Sequence, residues 1–166
     1  MTSFPEPAGG TADAAHLFAR YLDFYRETAA RKVASLPDAE RRRSLLPSGW
    51  TPLEMLSHLM HMERRWFVWG FLGEAVPDPW GDGEDRWHVA DDVSLEQLVA
   101  SLRRTGERTS QVLAEHELDK IGEPGGRFDA EPPTLAWICF HVLQEYARHT
   151  GHLDVAVELA GGDVGE

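Results

Sequence analysis

The feature that most constrains the fold is a stretch near the C-terminus, residues 138–156, which reads ICFHVLQEYARHTGHLDVA. Side chains on one face of a helix recur at steps of three and four residues. At this spacing the stretch presents one stripe: Ile138, Val142, Glu145, His149, His152 and Ala156. Its ends are apolar, but its middle holds a carboxylate and two imidazoles, which are costly to bury without partners. The stretch therefore predicts a core helix whose polar groups need a hydrogen-bonded network or a metal ion.

Capping residues and apolar spacing predict three further helices. An N-cap side chain accepts hydrogen bonds from free backbone N–H groups of the first turn. The four predicted helices run from Asp13 to about Ser35, Thr51 to about Leu72, Ser94 to about Glu115 and Thr134 to about Leu159. Glu54 and Gln97 stand where they complete capping boxes in the second and third helices. No run shows sustained period-two alternation, so we expect no central sheet.

These helices predict an all-α protein, a four-helix bundle with long crossover loops. Residues 1–12 are expected to form a flexible N-terminal tail, and residues 13–166 a single bundle domain. The connections at 73–92 and 117–133 are long for a compact domain. We expect the first of them either to be functional or to pack down as a lid.

Two details of this bundle follow from its aromatic residues. Trp80 and Trp87 are expected to anchor the first long connection. In the first helix, the main core-facing stripe is expected to be Leu17, Tyr21 and Phe24, with Phe18, Leu22 and Tyr25 beside it.

Charge and cysteine content exclude several classes of function. The net charge of −12 disfavours nucleic acids and anionic membranes, because binding them needs a basic face. No apolar run is long enough to span a bilayer, and no signal peptide is recognisable. The single cysteine, Cys139, lies between apolar residues and is expected to be a buried core residue. A cytoplasmic location is the expectation.

Three side chains predicted to face inward form a candidate metal site. They are His58 on the second helix and Glu145 and His149 on the last. Two histidines and a carboxylate, two of them at i and i+4, match a three-ligand site with an open position. Zinc is the first choice, with nickel, iron and manganese also compatible. The ligand atoms are expected about 2.0–2.2 Å from one ion, or within roughly 4 Å of one another without it.

The spacing alone leaves an alternative to the metal. The same three residues can form a buried hydrogen-bonded cluster with water, because an i, i+4 Glu–His pair is common on helices. His141 and His152 are then ordinary, partly exposed histidines. If a metal is bound, they are expected to orient its ligands. Arg65 is expected to pair with a carboxylate or a substrate anion.

Several stretches, in order and spacing, resemble the DinB-like superfamily. They are Gly49-Trp50-Thr51-Pro52, Leu56-Ser57-His58-Leu59, Glu63-Arg64-Arg65-Trp66-Phe67, His141-Val142-Leu143-Gln144-Glu145 and Ala147-Arg148-His149-Thr150-Gly151-His152. The branch resembled is that of the mycothiol-dependent maleylpyruvate isomerase N-terminal domain. The resemblance implies a divalent metal held between helices, with ligands at His58, Glu145 and His149. Many members carry histidine at the position of Glu145, which leaves the metal's identity open.

The resemblance also implies a function. Several members are similar to S-transferases that use a low-molecular-weight thiol, bacillithiol or mycothiol. We therefore expect a metal-dependent S-transferase or isomerase, with a small thiol and a small-molecule electrophile as partners. His141, His152 or Arg65 is expected to orient the thiol or move protons. A metal-dependent hydrolase and a non-catalytic metal-binding or stress-response module are the alternatives.

A second apolar side of the last helix predicts a homodimer. It comprises Phe140, Leu143, Tyr146 and Val157. The second helix is also apolar on most sides, and the resemblance implies a dimer. We expect part of this surface to be covered by a second copy of the chain.

Overall fold

A computed structural model describes residues 6–80 and 88–163 of the chain. The helices are α1 (Ala14–Ala34), α2 (Asp38–Arg41), α3 (Pro52–Arg64), α4 (Leu95–Glu115) and α5 (Leu135–Leu159), and a π-helical segment, Arg65–Phe71, continues α3. Within these described ranges β structure is limited to one isolated bridge, between Ile121 and Thr134. The all-α prediction is confirmed. None of the described helices combines the length and hydropathy needed to cross a bilayer.

The predicted caps begin all four long helices. Asp13 accepts hydrogen bonds from two backbone N–H groups at the start of α1. Thr51 and Ser94 each form a complete capping box, with Glu54 and Gln97 as the returning side chains. Thr134 caps α5. These starts were predictable because a cap depends only on residues within one turn of each other.

The long helices form a ring in the order α1, α4, α3, α5. Each of α1 and α3 packs mainly against α4 and α5. The consecutive pairs α1–α3 and α4–α5 therefore lie across the bundle, which makes their connections crossovers. The arrangement sets α3 beside α5, and these are the two helices that carry the candidate metal ligands.

The core-facing side of α1 differs from the predicted one. Leu22, Ala29 and Val33 are fully buried, whereas Leu17 and Tyr21 are only partly buried. Phe24, the third member of the predicted stripe, is also only partly buried. The prediction was wrong because the true core face also contains a charged residue, Arg26, which is 2% exposed.

Arg26 belongs to a buried polar network that joins all four long helices. Its Nε lies 3.0 Å from Oε2 of Glu63, which is fully buried. The same carboxylate accepts hydrogen bonds from the hydroxyls of Thr109 and Tyr146, each at 2.6 Å. Gly106 leaves room for the guanidinium, since a Cβ there would lie 2.6 Å from Arg26 Cζ. A buried charge is tolerated when it is paired and hydrogen-bonded in this way.

The π-helical segment, Arg65–Phe71, is a departure from the predicted regular helix to Leu72. A loop from the α4–α5 connection docks on it: the N–H groups of Glu123 and Arg127 donate to the carbonyls of Phe71 and Trp69 at 2.7 and 3.1 Å. Gly126 must be glycine there, because a side chain would overlap the Trp69 carbonyl oxygen. π-Helical turns are often found at functional sites.

Two predictions concern residues at the edges of the described ranges. Trp87, a predicted anchor of the first long connection, lies outside the described residues. The division into a tail, 1–12, and a domain, 13–166, stays a prediction. Within the tail, Glu6 accepts a hydrogen bond from the Tyr21 hydroxyl at 3.0 Å.

The surface predicted to form a dimer is partly internal. Tyr146 and Val157 are fully buried within one chain, so they are not available to a second copy. Tyr146 is held inside by its hydrogen bond to Glu63. Phe140 is 65% exposed and Leu143 partly buried. The corrected outer apolar face of α5 consists of Trp137, Phe140, Val155 and Leu159, which are all exposed.

Candidate metal centre

The packing of α3 on α5 brings His58 together with Glu145 and His149. One ligand atom from each residue lies within 4.8 Å of the others, slightly wider than the expected spacing. His149 Nε2 lies 3.1 Å from Glu145 Oε2, and the two imidazole centroids are 4.7 Å apart. Ligands of a tetrahedral zinc ion are separated by about 3.4 Å. To bind one zinc ion, the ligand atoms would have to approach one another by at most about 1.4 Å.

The electrostatics of the three residues suit a divalent cation. Burial lowers the pKa of His58 to about 3, and positive charge at His149 and Arg65 adds to the effect. Burial also lowers the pKa of His149, although Glu145 opposes it. Both imidazoles are therefore neutral at pH 7, the form that coordinates metals. Nδ1 of His149 is buried and has no hydrogen-bond partner among the described residues.

Trp50 covers the two histidines from one side. Its ring stacks on His149 at 5.4 Å with an interplanar angle of 22°, and lies 5.8 Å from His58. An indole in this position restricts both imidazole orientations and keeps water away from them. Trp50 was not among the residues predicted to form the site. The available signal was its place immediately before the cap of the helix that carries His58.

His141 adjoins the candidate ligands on the side of Glu145. Its Nε2 lies 3.8 Å from Glu145 Oε1. Its ring lies 4.1 Å from Trp66 and is parallel to Trp137, at 5.3 Å and 10°. The His141 side chain is 26% exposed, so it can exchange protons with solvent while touching the site.

The other two residues predicted near the site differ in their burial. Arg65 is 7% exposed, and its Nη1 donates to the Pro79 carbonyl at 3.2 Å. His152 is exposed, although the predicted stripe placed it in the core. Its ring centroid is nevertheless only 5.8 Å from that of His149. His152 therefore lies where the predicted stripe of α5 reaches the surface of the bundle.

Arg127 is a site neighbour that the sequence analysis missed. Its Cζ lies 4.2 Å from the centroid of Trp66. Burial lowers the pKa of His141; the charge of Glu145 opposes this effect, and the charges of Arg127 and Arg65 add to it. The only sequence signal was a Gly-Gly pair before Arg127, which marks a close approach of the backbone.

Cys139 is a core residue, as predicted. It is fully buried, and burial raises the pKa of its thiol to about 12. A thiol in this state is not a nucleophile. Any reactive sulfur at the site must therefore come from a ligand.

Comparisons with known proteins agree with this fold. Residues 17–162 match the family model of mycothiol S-transferases. No curated protein matches the sequence significantly. A crystal structure of a DinB-like protein from Bacillus cereus ATCC 10987 is similar, with a TM-score of 0.63 and 14% identity, over 91% of this chain and 95% of that one. At this identity the likeness shows a shared DinB-like fold, while the family match covers most of the chain. The chain belongs to the mycothiol S-transferase family.

Proposed function

We propose that the protein is a metal-dependent S-transferase that joins mycothiol to a small electrophile. The single observation that carries the proposal is the convergence of His58, Glu145 and His149 at a seam of the bundle, in a chain whose family is named for this reaction. The proposal makes these three residues the metal ligands and zinc the metal. Zinc suits two imidazoles and a carboxylate and leaves a fourth position for an incoming ligand.

The chemistry needs a thiolate near neutral pH. With zinc held by His58, Glu145 and His149, a thiol at the open position would have a lowered pKa. Glu145 is the most exposed of the three proposed ligands, with a side chain 20% exposed, so the thiol approaches from its side. His58 and His149, 6% and 9% exposed, close the opposite side against water.

His141 is the residue placed to move the thiol proton. It lies beside Glu145 on the accessible side, and its lowered pKa keeps it neutral at pH 7. A neutral imidazole accepts a proton through its free nitrogen, and partial exposure lets it pass the proton to solvent. Arg65 places a positive charge near the site. The exposed His152 lies next to His149, one helical turn further from Glu145.

The proposal is tested by metal content and conjugation measured together. Wild type, His149→Ala and His16→Ala are loaded with zinc, dialysed and assayed with mycothiol and 1-chloro-2,4-dinitrobenzene. His16 is exposed at the start of α1 and serves as the control. We expect wild type and His16→Ala to retain zinc and form the conjugate, and His149→Ala to lose both.

Other outcomes separate the alternatives. A wild type that retains zinc but forms no conjugate contradicts the S-transferase and favours a non-catalytic module. Hydrolysis of an ester without thiol favours the hydrolase. We also propose a cytoplasmic location, because chemistry that uses a free thiol needs a reducing compartment.

A further inference from the structure

Two guanidinium groups and several aromatic rings form one wall beside the candidate metal centre. We call it the arginine–tryptophan cluster; its members are Arg65, Trp66, Trp80, Arg127 and Trp137. Cζ of Arg65 lies 4.5 Å from the Trp80 centroid, and Cζ of Arg127 lies 4.2 Å from Trp66 and 5.3 Å from Trp80. Both guanidinium groups thus lie against the same indole. Trp66 and Trp137 are 5.6 Å apart, which extends the wall towards α5.

The cluster begins one side chain away from a proposed metal ligand. His141 lies between them, with its ring 4.1 Å from Trp66 and its Nε2 3.8 Å from Glu145 Oε1. A molecule held on the cluster therefore lies next to the open side of the metal centre. This is the place that an electrophile must occupy to meet a metal-bound thiol.

Arg127 has hydrogen-bonding capacity that the chain does not use. Its Nη1 is buried and has no hydrogen-bond partner among the described residues, and no described carboxylate forms an ion pair with it. Two arginines on α4, by contrast, are neutralised: Arg103 pairs with Glu27 at 2.9 Å and Arg108 with Glu74 at 2.8 Å. Leaving a buried charged donor unsatisfied is costly, so an anionic oxygen at Arg127 is favoured.

Two of the three indoles in the cluster offer surfaces that solvent can reach. Trp80 is 48% and Trp137 50% exposed, although large apolar rings are normally covered. Arg127 as a whole is only partly buried. A planar molecule can therefore stack on an indole while its polar end meets the guanidinium.

We infer that the arginine–tryptophan cluster binds the electrophilic cosubstrate, and that this cosubstrate is a planar molecule carrying a carboxylate. The inference rests on the proposed S-transferase function. The carboxylate binds Arg127, and the flat body lies on the exposed indoles with its reactive carbon towards Glu145. For a chloroarene of this class, the sulfur forms a C–S bond, chloride leaves with the C–Cl electron pair, and the thiol proton passes to solvent.

Binding of two unreactive probes tests the inference without turnover. The probes are 3,5-dinitrobenzoate and 3,5-dinitrobenzamide, which have similar shape and differ in charge. Calorimetric titration without thiol gives both affinities for wild type, Arg127→Gln and the control Arg103→Gln. We expect wild type and Arg103→Gln to bind the carboxylate about tenfold more tightly than the amide. Arg127→Gln should bring the ratio close to one and leave the amide affinity unchanged.

Two further measurements separate binding at Arg127 from binding at the metal and from misfolding of the variant. The ratio should persist in metal-free protein, since the metal itself is another site for a carboxylate. Arg127→Lys, which keeps the charge but loses the planar fork, should give an intermediate ratio if Arg127→Gln does not fold. The inference is overturned if wild type binds both probes equally or binds neither. It is also overturned if the affinity ratio disappears with the metal, or if it is unchanged in the Arg127 variants. Loss of conjugation with normal probe binding instead contradicts only the S-transferase proposal.

Discussion

At the scale of single residues, Glu145 determines the charge of the proposed metal centre. With two neutral histidines it supplies the only negative charge among the three ligands. Glu145→Gln keeps the size and the hydrogen-bonding capacity of the side chain but removes that charge. We expect this variant to bind zinc more weakly while its far-ultraviolet circular dichroism stays unchanged. Wild-type zinc affinity in Glu145→Gln would contradict the role of the carboxylate as a ligand.

Burial of His58 predicts the pH dependence of the metal-free protein. An unfolded histidine has a pKa of about 6.5, whereas the pKa of folded His58 is about 3. Between these values the unfolded chain binds a proton that the folded chain does not, so the free energy of unfolding falls as pH falls. The contribution of His58 is fully present above pH 6.5 and is lost on acidification towards pH 3.

Denaturant unfolding of the metal-free protein at pH 7, 5 and 4 measures this effect. Other groups also titrate in that range, so His58→Gln provides the comparison. We expect the free energy of unfolding of the variant to decline less steeply than that of wild type. Parallel declines of the two proteins would show that His58 is accessible to protons in the folded state.

At the scale of elements, the Glu63 network fixes how α1 and α4 meet. In Gly106→Ala the new methyl group would lie 2.6 Å from Arg26 Cζ. Arg26 cannot swing away cheaply, because Glu63 and Asp23 hold its guanidinium. We expect a loss of about 1–3 kcal/mol in the free energy of unfolding.

The matched control is Gly151→Ala. Gly151 is exposed in α5, and a Cβ there meets no atom within 4 Å. Alanine should stabilise this helix by up to about 1 kcal/mol. Denaturant unfolding of both variants checks the contrast. Equal stability of Gly106→Ala and wild type would mean that the network relaxes without cost.

The network also shows what sequence could and could not predict. Helix starts at Thr51 and Ser94 were predictable, because each cap and its returning side chain lie three residues apart. The buried face of α1 was not, because Arg26 reads as a surface residue until Glu63, 37 positions away, is known to pair with it. The three candidate ligands were found by periodicity. Arg127 was missed because its position depends on a loop docking against the π-helical segment, which no local pattern predicts.

At the scale of the whole molecule, the outer face of α5 predicts a homodimer. Besides Trp137, which adjoins the candidate site, Phe140, Val155 and Leu159 are between 51% and 65% exposed on this one helix. Exposed apolar side chains at both ends of one helix favour contact with a second copy. We expect light scattering to give twice the mass of one chain at micromolar concentration, and Val155→Asp to shift the mass towards the monomer. A monomeric wild type would contradict the dimer.

The proposed function requires His58, Glu145 and His149 to hold a zinc ion that a thiol can reach. The most direct test is the zinc X-ray absorption spectrum of the loaded protein, with and without mycothiol. We expect nitrogen and oxygen scatterers alone at about 2.0–2.2 Å, and one added sulfur at about 2.3 Å after mycothiol is supplied. A protein that retains no zinc, or a zinc shell that mycothiol leaves unchanged, would contradict it.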